Sequence, residues 1–307
     1  MVWLLYLRQM MISDYGISID DLILVSCTTV TKGRVDLIQH SIRSFLSQTY
    51  MCKEMIIVSQ GTSEQNSVIR NMVLEHINIH FVEAPSKLTL GEMRNLSIEL
   101  SHGDVICQWD DDDFYHPQRI MTQLKSMRGE FVASLYTRYL KYFSETKRIY
   151  MIDHLGGTDD YVDLLSREPY KKYLCGSVMF KKECFYKCEN VLYPERGYQS
   201  NKQEDLNVLQ KLIKIGKIAS VDACEYCYVY HGGNVYDKQH HEMLFHKKLT
   251  GTQKQLIGCI DDIQRILKVA QVNGPVEVCT VPMLDLTNPS NFNIENNSQP
   301  IYTLLCK

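Results

Sequence analysis

Asp110, Asp111, Asp112 and Asp113 stand in a row between an apolar run ending at Trp109 and the segment Phe114-Tyr115-His116-Pro117. Adjacent carboxylates repel one another, and a buried strand gains nothing from ending on four of them. A compensating cation resolves the conflict: hard divalent ions such as Mg²⁺ or Mn²⁺ take oxygen ligands and bridge a carboxylate to a phosphate. The competing reading is a solvated acidic turn, the usual fate of short charge runs. A second acidic pair, Glu204-Asp205, opens a helical pattern through Leu206, Leu209, Leu212 and Ile213. It either complements the helix dipole or handles a proton. The cysteine pairs Cys184/Cys188 and Cys224/Cys227, with His231 close behind, admit a zinc site. Against it, Ala223 to Tyr230 alternates like a strand, and the odd spacing of Cys224 and Cys227 turns them to opposite faces. Cys27, Cys107, Cys175 and Cys259 sit singly in apolar runs, where a thiol behaves as a small hydrophobe.

The elements that would position these residues follow from periodicity. Leu22 to Cys27, Met55 to Val58, Ile77 to Val82 and Val105 to Trp109 are short apolar runs of strand type. Between them lie helical patterns: Leu37, Ile38, Ile42, Phe45 and Leu46; Val68 to Val73; and Gly91 to about Leu100. Strand–helix alternation with short links predicts an α/β fold, a mostly parallel sheet with helices on both faces. Ligands of such sheets bind beyond the carboxyl ends of the strands. The tetrad follows the fourth strand, and the loops at 28–34 and 59–62 leave the same edge. From 131 the alternation loosens into antiparallel-type strands, Phe131–Tyr139 and Tyr142–Met151, then a loop over Asp153–Pro169. Tyr173–Phe180 reads as a strand broken by Gly176, and 221–231 as the last strand. A helix is expected from about 240 to 269, and an irregular tail beyond Asn273 that touches the core at Ile301–Leu305.

The totals narrow the classes. Of 307 residues, 45% are hydrophobic and 22% charged, a soluble globular profile. A net charge of −3 argues against a nucleic-acid partner. No apolar stretch is long enough to span a bilayer, and the opening residues lack a secretory pattern, so the expected location is cytoplasmic.

From about 22 to 235 the ordered motifs resemble a family-2 glycosyltransferase of the GT-A fold. Val25 to Arg34 resembles the family's first strand and loop, and Ile42-x-x-Phe45-x-x-Gln48-Thr49-Tyr50 the end of its first helix. Gly91-x-x-Arg94-Asn95 and Gly103-Asp104-Val105-Ile106 match the helix and strand before its metal motif. Trp109 to Pro117 resembles the D-x-D region, and Glu204-Asp205 the pair that supplies the base. Two positions depart from the pattern: Ser59-Gln60-Gly61-Thr62 stands where the family has Asp-Asp-Gly-Ser, and Val30 where it has proline. Serine and glutamine can still hydrogen-bond a base edge.

The resemblance implies a Rossmann-like sheet plus a smaller antiparallel acceptor-side sheet. It also implies a division into an extension (1–20), a glycosyltransferase domain (21–235, its nucleotide-sugar half ending at 120) and a C-terminal segment (236–307). It implies an inverting, metal-dependent hexosyltransferase using Mn²⁺ or Mg²⁺. Asp112 would be the direct metal ligand, Asp110 and Asp111 would serve the ribose or the metal's waters, and Asp113 would lie behind them. His231 would reach the metal or stand as a surface histidine. Asp205 would be the base, with Glu204 orienting it. Thr29, Ser59, Gln60, Lys87 and Arg94 would line the donor side, although Arg94 also fits a helix surface. Cys175, Gly176 and Ser177 would form the acceptor loop. The donor would be a nucleotide-diphosphate sugar, UDP-linked before GDP-linked, and the acceptor a glycan, glycolipid or protein. Two other classes remain open: a nucleotidyltransferase, of whose basic first loop Lys32-Gly33-Arg34 is an echo, and a degenerate domain that only binds nucleotide or zinc.

Overall fold

The structure, a computed structural model, describes residues 23–85, 87–154, 173–202, 204–234, 252–280 and 298–306. The first part alternates as β1 (Val25–Thr31), α1 (Val35–Leu46), β2 (Lys53–Ser59), α2 (Ser63–Val73), β3 (Ile79–Glu83), α3 (Leu90–Glu99) and β4 (Val105–Gln108). There follow β5 (Phe114–Tyr115), α4 (Arg119–Ser126), β6 (Phe131–Tyr136), β7 (Arg138–Phe143), β8 (Arg148–Asp153), β9 (Met179–Lys181), α5 (Glu183–Lys187) and α6 (Glu204–Ile215). The chain continues through β10 (Lys217–Val221), β11 (Tyr226–Tyr230), α7 (Gln253–Gly258), α8 (Ile260–Val269), β12 (Gly274–Thr280) and β13 (Gln299–Cys306).

Every residue of β1 and β2 is buried, which is why they read as unbroken apolar runs covered on both faces. β1 pairs in parallel with β2 and β4, and β2 with β3. Reciprocal capping boxes start the intervening helices, Thr62 with Gln65 on α2 and Thr89 with Glu92 on α3. The large sheet runs β10-β6-β9-β4-β1-β2-β3, with β9 antiparallel to both of its neighbours. A second sheet runs β13-β12-β8-β7-β11-β5. This mixed α/β arrangement agrees with the expected fold class.

The tetrad occupies the link between the two sheets. β4 ends at Gln108 in the large sheet, and β5 begins at Phe114, antiparallel to β11 in the small one. Beneath the link, Arg119 is fully buried, donates to the Gln108 carbonyl (2.8 Å), and faces the rings of Trp109, Tyr115 and Tyr226. Its charge is thus held by π faces and a carbonyl under the acidic run.

Four expectations need correction. Beyond Asn273 the chain is not an irregular tail: β12 and β13 pair antiparallel, and β12 joins β8. Val276 and Val278 alternate into the core there, a two-residue period that the surrounding prolines and asparagines obscured. The helix expected from 240 is two helices, α7 and α8, within the described residues, and 240–251 lie outside them. Phe131–Met151 holds three strands, because the chain crosses from the large sheet to the small one at Thr137 and then turns back between β7 and β8. Tyr173–Phe180 is a 3₁₀ turn at Cys175–Ser177 followed by β9. The expected loop at 153–169 falls almost wholly outside the described residues. No described helix is long and apolar enough to cross a membrane.

Candidate active site

The loops after β1, β2 and β4 meet above the carboxyl edge of the large sheet. Gly33 (φ +76°) packs its backbone against Gly61, so neither position has room for a side chain. That close approach fixes the first loop and turns Arg34 toward the tetrad. Its guanidinium grips Asp111 through Nε (3.1 Å) and Nη2, and reaches Asp112 through Nη1 (2.9 Å). On the other side, one nitrogen of Arg94 faces three acids: Asp110 at 2.9 Å, Glu204 at 3.4 Å and Asp205 at 3.8 Å. Arg94 is buried, so α3 supplies an interior cation and not a surface arginine.

A cavity of about 170 Å³ is lined by Arg34, Arg94, all four aspartates, Glu204 and Asp205. Val30, Leu90, Tyr228, Gly233 and Asn234 complete its wall. Six carboxylates therefore share one cavity with two guanidiniums.

Each acid has its own environment. Burial opposes ionisation of both Asp111 and Asp112, but His231 and Arg34 pull Asp112 down while the charge of Asp112 helps push Asp111 up. The His231 Nε2 lies 3.2 Å from Asp112 Oδ2, so these two could hold a metal between an oxygen and a nitrogen donor. Asp113 accepts from the Tyr226 hydroxyl (2.5 Å) and the Val229 amide (2.9 Å), and burial raises it. It fastens the link to β11. Asp110 accepts from Arg94 and from the Gln108 amide (3.3 Å), which in turn accepts from the Tyr193 hydroxyl (2.7 Å). Burial and then Glu204 push Asp205 well above the usual carboxylate range, against the pull of Arg94. Its Oδ1 is buried without a hydrogen-bond partner.

Other expected positions are placed as follows. Gly176 sits between the two acid groups: a β-carbon there would lie 3.3 Å from Asp110 Oδ2 and 3.5 Å from Asp205 Oδ2. Ser177 is buried, donating to the Leu174 carbonyl (2.6 Å), and burial pushes the Cys175 thiol up to about 12. Thr29 is buried and donates to the Trp109 carbonyl (2.7 Å). Ser59 donates to Asn66 (2.7 Å), while the Gln60 amide ties its turn to the carbonyls of Pro85 and Leu88, beside exposed Lys87. These last four do not line the cavity. The cysteines do not assemble: Cys184 lies in the core around Phe180, Cys224 is disulfide-bonded to Cys259, and Cys227 is on β11. β11 begins only at Tyr226, after Cys224.

Arg34, Gln108, Tyr193 and Tyr226 belong to the site and had no role assigned from sequence. For Arg34 the signal was a basic residue after a glycine at the carboxyl edge of β1. The others act through contacts distant in sequence.

Together the two sheets and the acid-lined edge define a GT-A glycosyltransferase. Residues 26–193, over half of the chain, match glycosyl transferase family 2, and the chain belongs to that family. The mannosyltransferase PcManGT from Pyrobaculum calidifontis, solved with GDP-Man and Mn²⁺, aligns over 85% of this chain and 71% of its own at 13% identity, with a TM-score of 0.53. TarS 1–349 of S. aureus, solved with UDP-GlcNAc, aligns over 80% and 79% at 11% identity, with a TM-score of 0.51. An uncharacterized glycosyltransferase of Haemophilus influenzae is 24% identical over 135 residues, 44% of this chain and 54% of the relative. The match thus spans about half the length of that curated relative.

Proposed function

We propose that this glycosyltransferase moves a hexosyl group from a nucleotide-diphosphate donor to an acceptor hydroxyl with inversion, and that it does so with a divalent cation at Asp112. The observation that carries this is the cavity's charge, six carboxylates against two guanidiniums. A diphosphate would be repelled from such a field unless a cation accompanied it. The donors fit a hard ion: carboxylate oxygens dominate, and the oxygen of Asp112 and the imidazole nitrogen of His231 stand 3.2 Å apart. Mn²⁺ tolerates that imidazole better than Mg²⁺ does. When bound, the ion offsets charge developing on the leaving diphosphate, so no acid is needed there.

The chain's own groups do the rest. Asp110, held by Arg94 and Gln108, offers an oxygen to the donor ribose or to a water near the ion. Arg34 keeps buried Asp111 compensated and is the cation next to Asp112. Asp205 takes the acceptor proton: its raised affinity for protons suits it to act as base, and its Oδ2 faces the gap at Gly176 while Oδ1 is turned toward Arg94. Glu204 shares Arg94 with it and fixes its orientation. Gly176 leaves the gap between Asp110 and Asp205 through which donor and acceptor sugars meet. The turn around Gln60 and Lys87 is assigned to the nucleobase end. Neutral Gln60 there suits an edge of uridine or guanosine, and the two fold neighbours were solved with UDP-GlcNAc and GDP-Man.

Thermal melting with UDP and GDP, each with and without Mn²⁺, tests the donor and the metal together. One diphosphate should raise the melting temperature only when Mn²⁺ is present, and Asp112→Asn should abolish the rise. A rise that is metal-independent, or unchanged in Asp112→Asn, would contradict the proposal.

A further inference from the structure

A second convergence of metal-binding side chains lies at the opposite, amino-terminal edge of the large sheet, ~16 Å of strand away. Glu54 on β2 is fully buried. Its Oε1 accepts from the Ser26 hydroxyl (2.5 Å) and the His102 backbone amide (2.6 Å). Its Oε2 meets only imidazoles, His102 Nδ1 at 3.0 Å and His80 Nε2 at 3.4 Å. His80 comes from β3 and His102 from the loop into β4, so three separate elements deliver the trio.

Among the described residues, Glu54 has no lysine or arginine as ion-pair partner. Burial opposes its charge, and the Ser26 hydroxyl and His102 amide are the hydrogen-bond donors to Oε1. A buried carboxylate whose second oxygen meets only imidazoles is a group that a bound cation would satisfy. The buried His80 Nε2 also lacks a well-formed hydrogen bond.

We propose that Glu54, His80 and His102 bind a borderline-soft divalent cation, zinc before others, at a site separate from that of Asp112. The three donor atoms lie within 4.8 Å of one another. A tetrahedral centre with bonds of ~2.1 Å spaces its ligands by ~3.4 Å, which the two Glu54 separations already approach. Two imidazoles and one carboxylate select zinc over magnesium or calcium. The His80 and His102 side chains are 35% and 54% exposed, which gives an ion a path in and leaves a fourth position to water. The bound ion would pin the loop into β4, the strand that carries the tetrad, onto β2 and β3. This inference does not depend on the transfer reaction.

The test uses the full chain carrying Asp112→Asn, stripped with EDTA, so that the hard-cation ligand is absent. Equilibrium dialysis against ZnCl₂ with elemental analysis should find one tightly held zinc, undisplaced by excess MnCl₂. Adding His80→Gln or His102→Gln should weaken it at least ~10-fold, with far-UV circular dichroism showing each variant folded. Because His102 is half exposed, its replacement is the variant least able to disturb folding. Zinc binding of equal affinity in both histidine variants would overturn the proposal. So would a folded parent that retains no zinc, which would leave a protonated imidazole as the counter-charge of Glu54.

Discussion

Replacing Arg94 by methionine should unbalance the site more than any other single change. Among the described residues, Arg94 is the one cation paired with Asp110, Glu204 and Asp205. Its side chain is 8% exposed and lies over the ring of Tyr193. Methionine keeps most of the volume, so packing is largely retained and the charge is what is lost. Removing one partner of a buried ion pair costs ~3–5 kcal/mol, and three acids are left here. The loss should also depend on pH. Asp205 is already raised above its unfolded value of ~3.9, and without Arg94 it rises further. A carboxyl with a raised folded pKa stabilises the fold fully below its unfolded pKa and loses that contribution as pH rises through the folded one. The deficit of Arg94→Met should therefore be largest near neutrality and shrink toward pH ~4. Urea unfolding of both proteins across that interval measures it, and adding Asp110→Asn should recover part of the loss. A deficit below ~1 kcal/mol, or one that does not change with pH, would refute the reasoning.

Two further outcomes are expected. Gly176→Ala should lower the melting temperature only slightly but reduce sugar transfer at least ~10-fold, because its β-carbon enters the gap between Asp110 and Asp205; steady-state kinetics beside a thermal melt separates the two effects. Glu54→Gln, measured in EDTA, should lower neutral-pH stability by up to ~3 kcal/mol. Glu54 is depressed to about 2, so its contribution is present above the unfolded value of ~4.3 and is lost as pH falls through the folded one; the variant's stability should be flatter in acid than the wild type's.

The parts of the fold that were legible in sequence are those where one periodicity dominates. β1 and β2 are buried along their whole length and read as apolar runs, while Ile38, Ile42 and Phe45 mark the inner face of α1. The tetrad could be placed because it ends such a run. Legibility failed where structure depends on pairing between distant segments. β12 and β13 stabilise each other across residues 281–297, and neither has a strong signal alone. Arg34 gains its role from the contact of Gly33 with Gly61, and Arg94 from acids on a helix more than a hundred residues away. The disulfide between Cys224 and Cys259 likewise joins a strand approach to the junction of α7 and α8, which no cysteine spacing announced.

The central claim is that the acidic cavity transfers sugar with a cation at Asp112 and a base at Asp205. Turnover of UDP- and GDP-sugars by the wild type, Asp112→Asn and Asp205→Asn, with Mn²⁺ or with EDTA, tests it most directly. The account predicts Mn²⁺-dependent turnover of one donor by the wild type, falling at least ~100-fold in each variant, while diphosphate binding survives in Asp205→Asn and is lost in Asp112→Asn. Turnover that persists in EDTA, or that is unaffected by Asp112→Asn, would contradict it.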